Sequence, residues 1–390
     1  MSNPVIGTAF KALRCLLQNE DLLTGEEKDL LRQNAAQVYT FSSGHDMAHL
    51  FGYAFLKYGI LKKEDEYGAL FEKKQLAAIY RYTTSEMVYG RLCGALEEAK
   101  IPFLPLKGIV LRAEYPEPWM RTSSDIDLLV HESDLERAGE CFEQKLGFQK
   151  NTLSAHDLSF HSPEGVHVEL HYELIEEKRA NDSSEVLAHV WDHASPSKEG
   201  SARYVLDDAM FFFYHIAHMA KHMENGGCGI RPFLDVVFLD KRKDADEKER
   251  EKLLKESDLL TFALACRRLS AVWFEGAMHD DTTSALEDFI LRGGVYGSTD
   301  NRVMATQTKK SLGRIGFILS RIFMPYSMLK YKYPILFKYP ILYPFCQIVR
   351  WVKFPFSKRI RKTKKELSYT GASSDEERKK TEALFRTLGL

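Results

Sequence analysis

No C-x-x-C pair occurs among the six cysteines (Cys15, Cys93, Cys141, Cys228, Cys266 and Cys346), which are scattered along the chain. That spacing argues against a disulfide framework or a zinc ribbon and suits a reducing compartment. No stretch approaches the ~20 unbroken apolar residues of a transmembrane helix. The opening MSNPVIGTAFKALRC lacks the basic-then-apolar layout of a signal peptide. We therefore expect a cytoplasmic protein. Acid is missing from one place: positions 301–365 hold no Asp or Glu, so the formal net charge of −1 balances sixteen Lys and Arg there against −17 elsewhere. One end of the chain is electrically unlike the rest.

The 390 residues, 44% hydrophobic and 28% charged, suffice for two or three globular domains with a real core. Residues 1–100 read as a helical domain. Thr24 followed by Glu27 fits a capping box. Leu76, Ile79, Tyr80, Thr83, Met87 and Gly90 fall at three- and four-residue steps, predicting a long helix over 67–100. Gly90 and Gly94 would permit close helix contact, at ~1 kcal/mol each relative to Ala. An α/β core is expected over 101–204, starting with a strand at 103–106 and a turn permitted by Gly108 into a helix near Ile109. Ser133 to Glu136 fits a second capping box, opening a helix over 134–146 that ends at Gly147. Strands over 148–153 and 158–161, a Pro163-Glu164-Gly165 turn and a further strand follow.

The chemistry concentrates on two of these strands. Asp125-Ile126-Asp127 opens the apolar run to Val130. Alternation puts Asp125 and Asp127 on one face, about 6.6 Å apart at Cα. Two carboxylates about 4 Å apart at an effective dielectric of about 20 repel by ~4 kcal/mol, so such a pair calls for a cation or a shared proton. In Val166-His167-Val168-Glu169-Leu170 the apolar residues face the core, and Glu169 faces away with His167 and His171. If the two strands are neighbours, three carboxylates converge.

This constellation resembles the nucleotidyltransferase superfamily of the DNA polymerase β type. It resembles most closely a family of uncharacterised bacterial nucleotidyltransferases with a Lys-Gly turn and an Arg-x-x-x-Asp-Ile-Asp-Leu-Leu-Val core, here Lys107-Gly108 and Arg121 to Val130. Lys107-Gly108 replaces the superfamily's commoner Gly-Ser, and the interval from Gly108 to Asp125 is longer than usual. The resemblance covers 101–297 well and implies an α+β fold: a small mixed sheet with helices, flanked by helical regions at 1–100 and 205–300. It implies transfer of a nucleoside monophosphate from an NTP to an acceptor, with Asp125, Asp127 and Glu169 catalytic and holding two Mg²⁺ ions. Lys107, Gly108 and Arg121 would bind the nucleotide, although Arg121 could equally brace its loop through a carboxylate. Alternatives from other classes are a non-catalytic nucleotide-binding regulator, a toxin–antitoxin component, and a membrane-peripheral protein of envelope polysaccharide synthesis.

From Asp207 a further helix carries His215, His218, Lys221 and His222, with the three histidines on one face. A metal site, structural histidines and a face lining the nucleotide cleft are all open readings. The resembling family has a similar His and Lys pattern, followed by an Arg and an Asp matched by Arg231 and Asp235. That favours nucleotide binding by His218, Lys221 and His222. The charged run 241–255 reads as solvated, and helices are expected over 259–292. In the tail, 301–390, prolines at 325, 334, 340, 344 and 355 forbid one long helix. Its cations and twelve aromatics over 301–365 fit a strap across the acidic body, an anionic membrane surface on the inner face, or, less well, nucleic acid. The extreme C-terminus, 368–390, reads as a polar linker and one short helix.

Overall fold

The computed structural model describes residues 3–154, 156–174, 183–294, 297, 301, 323–353 and 375–390. Five strands form one sheet: β1 (Phe103–Pro105), β2 (Asp125–Val130), β3 (Gln149–Leu153), β4 (Asp157–His161) and β5 (His167–His171), in the order β1-β2-β5-β4-β3. Among these neighbours β2 and β5 run parallel, and the other pairs are antiparallel. Alternation sorts the side chains as expected. Ile126, Leu128, Val130, Val168 and Leu170 enter one core with Phe103, Phe142 and Phe160, and Leu129 enters the other. Strand β2 is therefore apolar on both faces beyond its acidic start, as a covered strand must be. The fold is α+β.

Helices α1 (Pro4–Gln18), α2 (Gly25–Gln33), α3 (Ala35–Gly44), α4 (Ala48–Lys57) and α5 (Glu66–Glu98) precede the sheet. The Thr24 capping box forms: Thr24 Oγ1 accepts from the Glu27 amide at 3.2 Å and Glu27 Oε2 from the Thr24 amide at 2.8 Å. The box expected at Ser133 does not. The chain passes Glu132–Asp134 as a 3-10 turn, which denies Ser133 the extended cap conformation. Asp134 pairs instead with Arg137 at 2.6 Å. After the single turn of α6 (Gly108–Leu111), helix α7 (Leu135–Glu140) continues as a π turn over Cys141–Lys145.

Beyond β5 come α8 (Ser183–Ala188), a hairpin of β6 (Ala194–Pro196) and β7 (Tyr204–Leu206), then α9 (Asp208–Glu224), α10 (Arg231–Asp240), α11 (Glu247–Glu256), α12 (Leu260–Glu275) and α13 (Asp281–Leu291). The helices before residue 60 and those after 205 share one core. Phe10 of α1 stacks on Trp273 of α12 at 5.0 Å, and Phe233 of α10 meets the same indole edge-on at 5.0 Å. The run 241–255 is not simply solvated. Arg250 is fully buried, gripping Asp208 with Nε and Nη2 at 2.6 Å each and stacked over Phe212.

In the tail, α14 (Tyr326–Lys332), α15 (Ile335–Lys338) and α16 (Tyr343–Lys353) gather on Leu329, Leu336 and Cys346. Pro334 and Pro340 stand at element starts, where a missing N–H costs nothing. Helix α17 (Asp375–Leu388) docks on α12 and α13 through Leu384, Phe385 and Leu388. Most of the remaining tail, 302–322 and 354–374, lies outside the described residues. Among the described residues no helix is long and apolar enough to cross a membrane.

Candidate active site

Parallel pairing of β2 with β5 sets Asp127 level with Glu169, and Asp125 level with His167. The acidic starts of both strands thus share one face. Asp127, Glu169 and His171 each offer a ligand atom within 4.8 Å of the others, a set that could hold a metal ion. Asp127 Oδ1 accepts from Lys107 Nζ at 2.8 Å and lies 2.9 Å from His171 Nε2. Glu169 lies between two imidazoles, 3.3 Å from His167 Nε2 and 3.4 Å from His171 Nε2.

The electrostatics follow from these contacts. Burial alone would raise the Asp127 carboxyl, but Lys107 and His171 outweigh it and hold it far below the usual range. Asp125 is pushed up to about 6, first by burial and then by the charge of Asp127. The His171 contact lowers Glu169. Burial would lower His171, yet its two carboxylate partners raise it. Asp127 is therefore the anion the site pays to keep, and Asp125 carries the repulsion.

The turn that delivers Lys107 differs from the sequence expectation. The positive φ, 48°, belongs to Lys107 and not to Gly108, a backbone conformation costing roughly 1–3 kcal/mol for a residue with a side chain. Gly108 serves close approach: a Cβ there would lie 2.8 Å from Ser123 Cβ and 2.9 Å from Arg121 Nη1.

Helix α9, capped by Asp207 Oδ1 accepting from the Met210 amide at 2.8 Å, faces this patch. Tyr214 lies within reach of the Lys107 charge, and burial raises its phenol. His218 lies against His222 (Nε2 to Nε2, 3.2 Å), and burial and then the Lys107 charge drive it well below the ordinary imidazole value. Burial, followed by the same charge, brings Lys221 down to about 8, with Glu169 and Asp127 pulling the other way. His215 turns elsewhere, 3.0 Å from the Pro232 carbonyl.

Of the residues singled out in the sequence, Lys107, Asp125, Asp127, Glu169, His218, Lys221 and His222 gather here, with Gly108 at the turn. Arg121 is committed to a carboxylate: its Nε and Nη2 donate to both oxygens of buried Asp235 at 3.1 and 2.9 Å, and Nη1 to the Thr122 carbonyl. Tyr115 donates to the same Asp235 at 2.7 Å. Arg121 thus takes the bracing position, tying its loop to α10. Sequence patterns alone do not assign His171 or Tyr214 to the site. Strand alternation puts His171 on the Glu169 face, and the step of seven from Tyr214 to Lys221 is the corresponding signal on α9.

No curated protein and no solved structure matches the chain. A family model described as an uncharacterised nucleotidyltransferase matches residues 33–275. The match begins well before the expected 101 and stops short of 297, so it takes in α3 to α12 and every residue of the patch above. Covering more than half of the chain, it settles the relationship: this protein belongs to that family of uncharacterised nucleotidyltransferases.

Proposed function

We propose that the protein transfers a nucleoside monophosphate from an NTP to an acceptor hydroxyl in a reaction dependent on a divalent metal. The observation that carries this reading is the parallel register of β2 and β5, which stations Asp127 beside Glu169 with Asp125 on the same strand face. Asp127 and Glu169, with His171, offer ligand atoms to one place, and Asp125, forced up to about 6 by burial and its neighbour's charge, would be relieved by a divalent cation such as Mg²⁺. Asp125, Asp127 and Glu169 would hold two such ions, which when bound supply charge neutralisation at the phosphates and activation of the acceptor oxygen.

The chain's own groups divide the rest of the work. Glu169 takes the proton of the acceptor hydroxyl as its oxygen bonds to the α-phosphorus. The bond from that phosphorus to the bridging oxygen breaks, and pyrophosphate leaves. Lys107 exchanges Asp127 for a phosphate oxygen, and Lys221, His218 and His222 line the triphosphate along α9. Arg121 holds the preceding loop against Asp235. Incubation with each α-labelled NTP, Mg²⁺ and cell lysate should move label into an acceptor, and Asp127→Asn should abolish the transfer. Binding of NTP with no transfer to any acceptor, or transfer undiminished in the variant, would overturn the reading.

For the tail we propose contact with an anionic membrane surface. On α16, Phe345, Ile348, Val349 and Val352 are exposed at steps of three, one and three, the apolar stripe of an interfacial helix. Ile341, Phe337 and Phe323 are exposed as well, as are Lys338 and Lys353. Removal of 301–365 should abolish co-sedimentation with phosphatidylglycerol vesicles, and high salt should release part of the intact protein. If intact protein ignores the vesicles and truncation lowers the melting temperature of the body, the segment is a strap.

A further inference from the structure

Helix α5 carries Leu76, Tyr80, Thr83, Met87, Gly90 and Gly94 at alternating steps of four and three. All six are exposed, Leu76, Tyr80 and Met87 by 60%, 74% and 50%. On the opposite side, Phe71, Ala78, Ser85 and Leu92 recur every seven residues and are buried in the chain's own fold. Steps of three and four are the seam of a helix pair, and here the seam points outward. The two glycines sharpen the point. Among the described residues a Cβ at Gly90 or Gly94 would meet nothing within 4 Å, so no packing there uses their smallness. Each nonetheless costs ~1 kcal/mol against Ala in a helix interior.

We propose that α5 pairs antiparallel with α5 of a second copy, about a twofold axis that crosses the exposed seam between Thr83 and Met87, at the level of Ser85. The argument is self-complementarity. In the register that sets Thr83 opposite the partner's Met87, Tyr80 meets the partner's Gly90 and Leu76 meets the partner's Gly94. The same register brings Lys73 level with the partner's Glu97, whose carboxylate also accepts from Ser201 Oγ and the Ala202 and Arg203 amides of its own chain, and by symmetry every pairing occurs twice, as an isologous contact requires. Bulk faces glycine at the Tyr80–Gly90 and Leu76–Gly94 layers, so the backbones approach closely where the side chain is missing. From Lys73 to Glu97 the contact runs about 36 Å at 1.5 Å per residue. A parallel pair would stack Tyr80 on Tyr80 and glycine on glycine, leaving bulk and gap in alternation.

Sedimentation velocity on the full chain at tens of micromolar tests this, with the expectation of a dimer. Tyr80→Asp should raise the dissociation constant at least about tenfold. Gly94→Leu, whose side chain fits the monomer's open space, should do the same, and both should keep the circular dichroism of the unaltered chain. Orientation is read by mild oxidation. The double variant Tyr80→Cys/Gly90→Cys should give a disulfide-linked dimer beyond that of the unaltered chain. Tyr80→Cys alone should not, because the two copies of position 80 lie about 15 Å apart along the axis. A monomer at these concentrations overturns the proposal, and so does a dimer indifferent to Tyr80→Asp. Cross-linking by Tyr80→Cys alone overturns the antiparallel register.

Discussion

Around Asp208 every buried charge has its complement, whereas around Asp127 the charges are crowded. Arg250 is enclosed by Asp208, by Asp240 and Glu247 at 3.2 and 2.9 Å, by the Leu239 carbonyl at 2.9 Å and by the Phe212 ring. The pair joins the first turn of α9 to α11, and its geometry is saturated. In the patch on β2 and β5, Lys107 and His171 share one oxygen of Asp127 while Asp125 is left beside that charge. Saturated networks hold structure. A crowded cluster in which two carboxylates repel beside one shared cation is the arrangement expected where something charged must bind.

The comparison predicts opposite phenotypes. Arg250→Ala strands Asp208 in the interior and should lower stability by about 4 kcal/mol, measured by urea unfolding, with transfer per folded molecule unchanged. The double variant Asp208→Asn/Arg250→Met should recover part of the loss. Full activity loss in folded Arg250→Ala would mean that the network belongs to the site.

Inside the patch the two aspartates should separate. Both Asp125→Asn and Asp127→Asn should reduce label transfer by roughly 10³-fold, the scale for removing a group that stabilises charge at a reacting centre. Their melting temperatures without divalent metal should move in opposite directions. Asp127→Asn keeps an oxygen acceptor but removes the negative charge that Lys107 and His171 share, a loss of roughly 1–3 kcal/mol. Asp125→Asn relieves repulsion and should raise the melting temperature. Equal shifts would show that the crowding is not felt in the folded protein. Glu169→Gln should then lower turnover by roughly 10²-fold with NTP affinity nearly kept, as for a group that accepts the proton.

How much of the fold and site is legible in the sequence depends on range. Period-two alternation by itself puts Asp125 with Asp127, and Glu169 with His171. The helical period likewise gathers His218 and His222 on one face. Pairing of β2 with β5 can only be supposed from sequence, because strand neighbours are set by long-range packing and not by local pattern. Arg250 looks solvated because its neighbours in sequence are charged; its burial comes from Asp208, 42 residues away. The helices at the two ends read as separate for the same reason, since the Phe10–Trp273 stack has no local signature. Arg121 reads as nucleotide-binding through its place in a motif, and only the fold brings Asp235 to it.

The smallest effect concerns a buried group with no charged partner, which sharpens the contrast from a third side. His45 lies against Phe41, with Nε2 3.4 Å from the Leu291 carbonyl and Nδ1, among the described residues, without a hydrogen bond. Burial takes its pKa down to about 4, against 6.5 for the free side chain. The unfolded chain therefore binds a proton between those values that the folded chain refuses. Stability from this group is complete above pH 6.5, declines as pH falls toward 4, and changes no further below. From pH 6.5 to 5.5 the decline is up to about 1.4 kcal/mol. His45→Gln should remove that slope from the pH profile of urea midpoints while leaving the Arg250 and Asp127 phenotypes in place. A profile identical to that of the unaltered chain would mean that water reaches the imidazole, and that burial between α3 and α13 is looser than the Leu291 contact implies.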